Sequence, residues 1–324
     1  MKIRIGIVGY GNLGKGAAKA IAVNPDMELK AIFTRRDPSS IEIDDNNVTV
    51  LSIDDAESMV GKIDVCLLCG GSATDLPEQG PYFASLFNTV DSFDTHAKIP
   101  EYMASIDNVA TKTTAIISTG WDPGLFSMMR SLFESTLHNG VNYTFWGKGF
   151  SQGHSEAVRR INGVKYAAQY TIPIESAVEA VRSGGNPELS AREKHLRECF
   201  VVAEPNANTS EIEATIKSMP HYFADYDTTV NFITAEEFLA NHTEMPHGGM
   251  VIRGANTSDE YKQVMEFSLK LDSNPEFTSS VLVAYARAAY RMSHEGLFGA
   301  KTVFDVPLSY LSLKDRAELI EELL

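Results

Sequence analysis

Over residues 1–118, short continuous apolar runs alternate with stretches whose apolar residues recur at helical spacing. The runs fall at 3–8, 28–33, 48–51, 63–69, 87–91 and 114–118. Helical spacing is clearest near 14–23 and 97–110. Continuous apolar runs belong to strands covered on both faces, and strands alternating with helices make a βαβ series. The expected fold class is therefore α/β, a doubly wound parallel sheet with helices on both faces. A further helix is expected from Leu125 to about His138, with Pro123 in its first turn.

Beyond residue 140 the texture changes. Short strand-like runs (143–145, 166–172, 199–203 and 228–233) mix with helical stretches (about 155–160, 173–182 and 210–218). This predicts a second, α+β domain on an antiparallel or mixed sheet. The segments 259–271 and 277–294 read as helices that return to the first domain. The domains are thus expected to be residues 1–118 together with about 265–324, and residues 119–264 between them. Ser183–Glu188 reads as a loop tip.

The first run breaks into Gly9-Tyr10-Gly11-Asn12-Leu13-Gly14 and a small-residue helix follows at once. Strand, GxGxxG, helix is the layout of a dinucleotide-binding Rossmann turn. Gly9 suits a tight turn, Gly11 lets a pyrophosphate approach the backbone, and Gly14 lets helix pack on strand. The phosphates would then meet the free N–H groups of a helix N-terminus. The second run ends in Thr34-Arg35-Arg36, where an acid would be expected for NAD. Two guanidinium groups and a hydroxyl suit a ribose 2′-phosphate instead, so NADP is the expected cofactor.

In such sheets ligands lie beyond the carboxyl ends of the strands. Those ends read Cys69-Gly70-Gly71-Ser72, then Ser92-Phe93-Asp94, then Gly120-Trp121-Asp122-Pro123-Gly124. All are candidate cofactor positions, alongside Tyr10, Asn12 and Leu13 of the turn.

Composition narrows the partners. Lys plus Arg is 28 against 43 Asp plus Glu, a net charge of −15 in 324 residues. That argues against nucleic acid and anionic membranes. No apolar stretch approaches the roughly 18 residues of a membrane helix. A first strand at residue 2 or 3 leaves no room for a signal peptide, so a cytoplasmic location is expected. Of three cysteines, Cys66 and Cys69 sit in one strand pattern, where residues three apart face opposite ways. They read as core cysteines, and no histidine pattern implies a metal.

Several second-domain segments are too polar and glycine-rich for plain core: Trp146–Ser155, which includes Gln152, Gly153 and His154, and Met245–Gly249, which includes His247. Thr171 falls late in a β-pattern, Arg197 just before another, and Asn274-Pro275 between the last two helices. Together with the first-domain motifs, these residues make the chain resemble the meso-diaminopimelate dehydrogenase family. The resemblance is carried by Val8–Gly14, Ser72–Asp75, Ser118–Gly124, Phe145–Gly147, Ser151–Ser155, Met245–Gly249 and Leu271–Pro275. It runs over nearly the whole chain, and its later motifs are not shared by Rossmann enzymes at large.

The resemblance implies an NADP-dependent, reversible oxidative deamination of the D-centre of meso-2,6-diaminopimelate. The products are L-2-amino-6-oxopimelate, which cyclises to tetrahydrodipicolinate, and ammonia; the second domain also serves dimerisation, and the protein is a homodimer. In that setting Arg197 grips the distal carboxylate, and Thr171, His247 and Asn274 add hydrogen bonds. Asp94 and Asp122 orient the reacting ammonium, backbone N–H groups around Gln152 and Gly153 hold the adjoining carboxylate, and Trp121 and Trp146 wall the pocket. Asp94, Asp122 and His154 are the candidate proton acceptors, with water a fourth.

Two other readings compete. One is a different NADP oxidoreductase acting on sugars or D-amino acids, but a sugar dehydrogenase would carry Glu-Lys-Pro where this chain has Asp91-Ser92-Phe93-Asp94. The other is a non-catalytic NADP-sensing regulator, which would have no use for the polar second-domain segments.

Overall fold

The computed structural model describes residues 2–43 and 45–324. The chain forms two compact units, Met1–Met128 with Pro275–Leu324, and Met129–Asn274. These boundaries lie about ten residues later than the sequence pattern suggests. The first falls inside a helix and the second at the start of one, so no change of composition marks either.

The first unit is built on strands β1 (Ile3–Val8), β2 (Met27–Thr34), β3 (Thr49–Ser52), β4 (Val65–Leu68), β5 (Asn88–Asp91), β6 (Thr114–Ile116) and the late β14 (Gly299–Lys301). They form one parallel sheet in the order β14-β6-β5-β4-β1-β2-β3. Ile3, Ile5 and Ile7 of β1 enter a core with Ala17, Ala20 and Ile21 of helix α1 (Asn12–Ala22) and with Leu282, Tyr285 and Ala289 of the helix Asn274–His294. The other face packs Cys66 and Leu68 against Leu76 and Phe83 of α2 (Leu76–Leu86) and Tyr102 and Ile106 of α3 (Ile99–Asp107). Apolar cover on both faces is why these strands read as unbroken runs. Cys66 belongs to one core and Cys69 packs on the other, as opposite pleat positions require. Arg287 ties the late helix in place, donating to Asp26 at 2.6 and 2.9 Å and to Asn24 at 2.7 Å.

Two expectations fail in detail. Helix α4 spans Leu125–Thr136, and Pro123 lies in the preceding turn rather than in the helix. The reason is local: the Leu125 N–H donates to the Gly120 carbonyl, so the turn must close before the helix begins. The segment 259–271, read as a helix, is largely a strand.

The second unit holds the remaining strands: β7 (Val141–Trp146), β8 (Gly149–Phe150), β9 (Val164–Pro173), β10 (His195–Ala203), β11 (Asp227–Phe232), β12 (His247–Asn256) and β13 (Lys262–Leu271). One sheet runs β11-β10-β9-β8 and another β13-β12-β7. Strand β10 pairs antiparallel with β9 and parallel with β11, the mixed sheet expected. In β13 apolar Met265, Phe267, Leu269 and Leu271 alternate with polar Glu266, Ser268 and Lys270, and pairing with β12 makes this a strand.

Candidate active site

In the first unit, the turn after β1 sits where strand order reverses, since β2 lies on one side of β1 and β4 on the other. Gly9 adopts φ +89°, which disfavours any side chain. A Cβ on Gly14 would stand 2.1 Å from the Gly9 carbonyl oxygen, so only glycine lets α1 close onto β1. A Cβ on Gly11 would meet nothing within 4 Å. Gly11 also occupies the N-cap of α1 without a side-chain cap, and the first turn holds no acid. Uncapped N–H groups beneath open space fit the pyrophosphate of a dinucleotide.

The end of β2 arranges two guanidinium groups beside this turn. The buried Thr34 accepts the Arg36 N–H at 3.0 Å, and Arg36 Nη2 donates to the Tyr10 carbonyl at 3.0 Å. The exposed Arg35 reaches the largely buried Asp75 side chain at 2.7 Å. Thr34 thus positions the backbone at Arg36. Asp75 in turn accepts the Gly71 N–H at 2.9 Å and shapes the loop Cys69–Ser72.

The loops after β5 and β6 are tied by Asp91. Its carboxylate accepts the Phe93 N–H at 2.9 Å, the Ser118 N–H at 3.0 Å and the Tyr102 hydroxyl at 2.8 Å. Its carbonyl accepts the Thr119 N–H and hydroxyl, each at 2.8 Å. Burial pushes the Asp91 carboxyl up to about 6 despite these donors. Asp94 is exposed, and its N–H donates to Ser72 at 3.0 Å, joining the β5 and β4 loops. Trp121 is buried edge-on against Phe126, with ring centroids 5.2 Å apart, and Asp122 follows it, half-buried. Ser92, Gly120, Pro123 and Gly124 lie in the same two loops.

In the second unit, antiparallel pairing sets Arg197 of β10 opposite Thr171 of β9. Arg197 Nη1 donates to the Thr171 hydroxyl, and the guanidinium carbon lies 4.0 Å from the centroid of the Tyr226 ring. Arg197 is 7% exposed, its Nε has no hydrogen-bond partner, and among the described residues no carboxylate pairs with it. Burial lowers its pKa. A buried cation without an acid is costly.

The surrounding residues converge on the same strand ends. Gly149 of β8 pairs with Thr171, and a Cβ there would stand 2.6 Å from the His247 ring. The Asn274 N–H donates to the Met245 carbonyl at 3.0 Å, just before His247. Helix α5 (Gln152–Arg159) starts with Gln152 and Gly153 exposed and without a side-chain cap from Ser151. His154 shares a hydrogen bond of 2.7 Å with Ser151, and burial beside Arg197 pushes it down to about 3. Trp146 stacks on His195, ring centroids 5.3 Å apart.

The second unit therefore gathers Trp146, Gln152, Gly153, His154, Thr171, Arg197, His247 and Asn274, while Asp94, Trp121 and Asp122 belong to the first. Sequence reasoning missed Gln169, His195, Tyr226 and the tie at Asp91. Gln169 shares a pleat face with Thr171 and is fully buried, with its carbonyl oxygen unpartnered. His195 shares a face with Arg197. Alternation along β9 and β10 was the signal for both; Tyr226 precedes β11 and carried none. Among the described residues no cluster of His, Cys, Asp and Glu could hold a metal ion, and no helix is long and apolar enough to cross a membrane.

A glycine turn built for a dinucleotide, on a sheet of this order, defines a Rossmann-type oxidoreductase. Residues 120–273 match the family described as the diaminopimelic acid dehydrogenase C-terminal domain. The meso-diaminopimelate D-dehydrogenase of Ureibacillus thermosphaericus is 63% identical over 325 residues, covering 100% of this chain and 99% of its own. The Corynebacterium glutamicum DAP dehydrogenase solved in complex with DAP is 44% identical with a TM-score of 0.93, covering 100% of this chain and 99% of its own. An engineered D-amino acid dehydrogenase bound to NADP+ is 43% identical with a TM-score of 0.88, covering 100% of both chains. The chain belongs to the meso-diaminopimelate D-dehydrogenase family.

Proposed function

We propose that the chain oxidatively deaminates meso-2,6-diaminopimelate at its D-configured centre with NADP, as a cytoplasmic homodimer. The D-centre carbon gives up its hydrogen as hydride to NADP+, its ammonium loses one proton, the resulting imine takes up water, and ammonia and L-2-amino-6-oxopimelate are released. Arg197 carries the reading. A buried guanidinium with a free Nε and no acid suits the second carboxylate of a dicarboxylic substrate, which a simple D-amino acid lacks.

NADP would be held by the Gly9–Gly14 turn, by Arg35 and Arg36, and by the loops Cys69–Ser72, Ser92–Asp94 and Gly120–Gly124. When bound it supplies the hydride acceptor. The remaining work falls to the protein. Arg197 and Thr171 fix the distal carboxylate, and His247 and Asn274 add hydrogen bonds to that end. The first N–H groups of α5, at Gln152 and Gly153, hold the carboxylate beside the reacting carbon. Asp94 and Asp122 orient the ammonium, and Trp121 and Trp146 exclude water until the imine has formed. Burial holds His154 near 3, which makes it a poor proton acceptor at neutral pH and leaves Asp94, Asp122 and water as the candidates.

The test is reduction of NADP and of NAD, followed by absorbance, with meso-, LL- and DD-diaminopimelate. Turnover of the meso form with NADP is expected, and no turnover would refute the reading. Light scattering in solution checks the dimer. A pure NADP sensor is not favoured, because it would leave the buried Arg197 without a purpose.

A further inference from the structure

Resting on that reading, the geometry points to Tyr226 as the residue that positions Arg197 and thereby makes the enzyme demand a second carboxylate. The Arg197 guanidinium carbon lies over the Tyr226 ring, 4.0 Å from its centroid. The Tyr226 side chain also hydrogen-bonds the guanidinium, so both its ring and its hydroxyl act on Arg197. Thr171 takes one N–H, on Nη1. The Nε–H stays buried and without a partner. Nε and the adjacent Nη2 form one edge of the fork that grips a carboxylate through two parallel bonds. Ring and hydroxyl together thus fix the plane and the rotation of the group before any substrate arrives.

The backbone holds Tyr226 to this task. Its N–H donates to the Phe223 carbonyl at 2.9 Å, and Phe223 is fully buried with its own N–H on the Met219 carbonyl at 3.1 Å. The next residue opens β11, whose parallel register sets Asp227 beside Leu196 and Thr228 beside Arg197. The ring is therefore anchored at a strand start next to the arginine. Tyr226 also supplies what the missing acid would, since the π face offsets part of the cost of burying the cation.

Tyr226 acts through Arg197, so its signature is selective. Replacing the ring should weaken recognition of the distal carboxylate alone. The experiment compares wild type, Tyr226→Phe and Tyr226→Leu with meso-diaminopimelate and with D-lysine, which lacks the distal carboxylate. Dissociation constants for NADP are measured alongside. Tyr226→Phe keeps the ring face and removes the hydroxyl, so it should raise KM for meso-diaminopimelate by less than Tyr226→Leu does. Tyr226→Leu should raise KM for meso-diaminopimelate about tenfold or more at little changed kcat, with NADP affinity and D-lysine turnover unaltered. The preference for the dicarboxylic substrate would fall by the same factor. If Tyr226→Leu left that KM unchanged, or impaired both substrates alike, the inference would be overturned. Tyr226→Gln carries the same readouts should the leucine variant not bind NADP, and loss of NADP binding in both would make Tyr226 a folding residue and end the inference too. If wild type itself fails to oxidise meso-diaminopimelate, it is the proposed function that falls.

Discussion

The Trp146 N–H donates to Nε2 of His195 at 2.8 Å, and the two rings stack. Because a backbone N–H can only donate, Nε2 carries no proton, and neutral His195 is the Nδ1–H tautomer. Burial and the charge on Arg197 push His195 down to about 3. Trp146 is thus held in place by an uncharged histidine.

A pH dependence with a definite sign follows. The unfolded chain protonates His195 near its ordinary value of 6.5, while the folded chain resists until about 3. Between those values the unfolded state binds the extra proton, so stability falls as pH falls, by at most about 1.4 kcal/mol per pH unit from this group. His195→Gln keeps an acceptor for Trp146 and removes the titration. Urea unfolding at pH 7.5 and pH 5 should show wild type losing more stability than this variant. Parallel losses would mean that His195 is not held neutral by the fold.

Arg35 and Arg36 stand beside the glycine turn, one reaching Asp75 and the other the Tyr10 carbonyl. Replacing both with Ala should cut kcat/KM with NADP by about 10- to 100-fold, the worth of one or two charged hydrogen bonds to a phosphate. The value with NAD should move by less than about threefold, because no 2′-phosphate is there to lose. Equal losses with the two cofactors would overturn the assignment of these residues.

Most of the first unit was legible because its strands are buried on both faces and its turn needs glycine at fixed places. Helix α2 was less so, with Pro77 and Pro81 interrupting the pattern. The misreading of 259–271 has a physical cause. Strand β13 is largely exposed, and its period-2 alternation over Met265–Leu271 was the local signal that the helical reading passed over; pairing with β12 completes the strand. Arg197 and Thr171 could be singled out as polar residues in apolar strands. That they face each other depends on the register of β9 and β10, and register is not written in either strand alone.

Gly11 and Gly14 separate binding from folding. Gly11 has φ −88° and open space where a Cβ would go. Gly11→Ala should therefore fold with a Tm close to wild type yet bind NADP at least about tenfold more weakly, since the methyl group takes the space of the pyrophosphate. At Gly14 the added Cβ meets the Gly9 carbonyl oxygen at 2.1 Å, so the turn itself must open. Gly14→Ala should lower Tm by several degrees, about 1–3 kcal/mol of overpacking, as well as weaken NADP. Thermal scans with and without NADP read both effects. A Gly11 variant that binds NADP normally would place the pyrophosphate elsewhere.

Arg197 should cost stability while it confers function. Its lowered pKa means that the folded surroundings disfavour the cation, chiefly through burial. Without ligand, Arg197→Gln removes that cost and keeps a group able to donate to Thr171. Its Tm should be equal to wild type or higher by a few degrees, the usual result when a buried functional charge is removed. The same change should lower kcat/KM for meso-diaminopimelate by about 100-fold, because a charged, two-point grip on the carboxylate is worth several kcal/mol. Arg197→Lys, a point charge without the fork, should fall between the two. NADP affinity should be unchanged in both variants, since every proposed cofactor contact lies in the first unit. An Arg197→Gln enzyme that is markedly less stable than wild type would show that the guanidinium holds the fold together, and the unpaired cation would no longer mark a binding site.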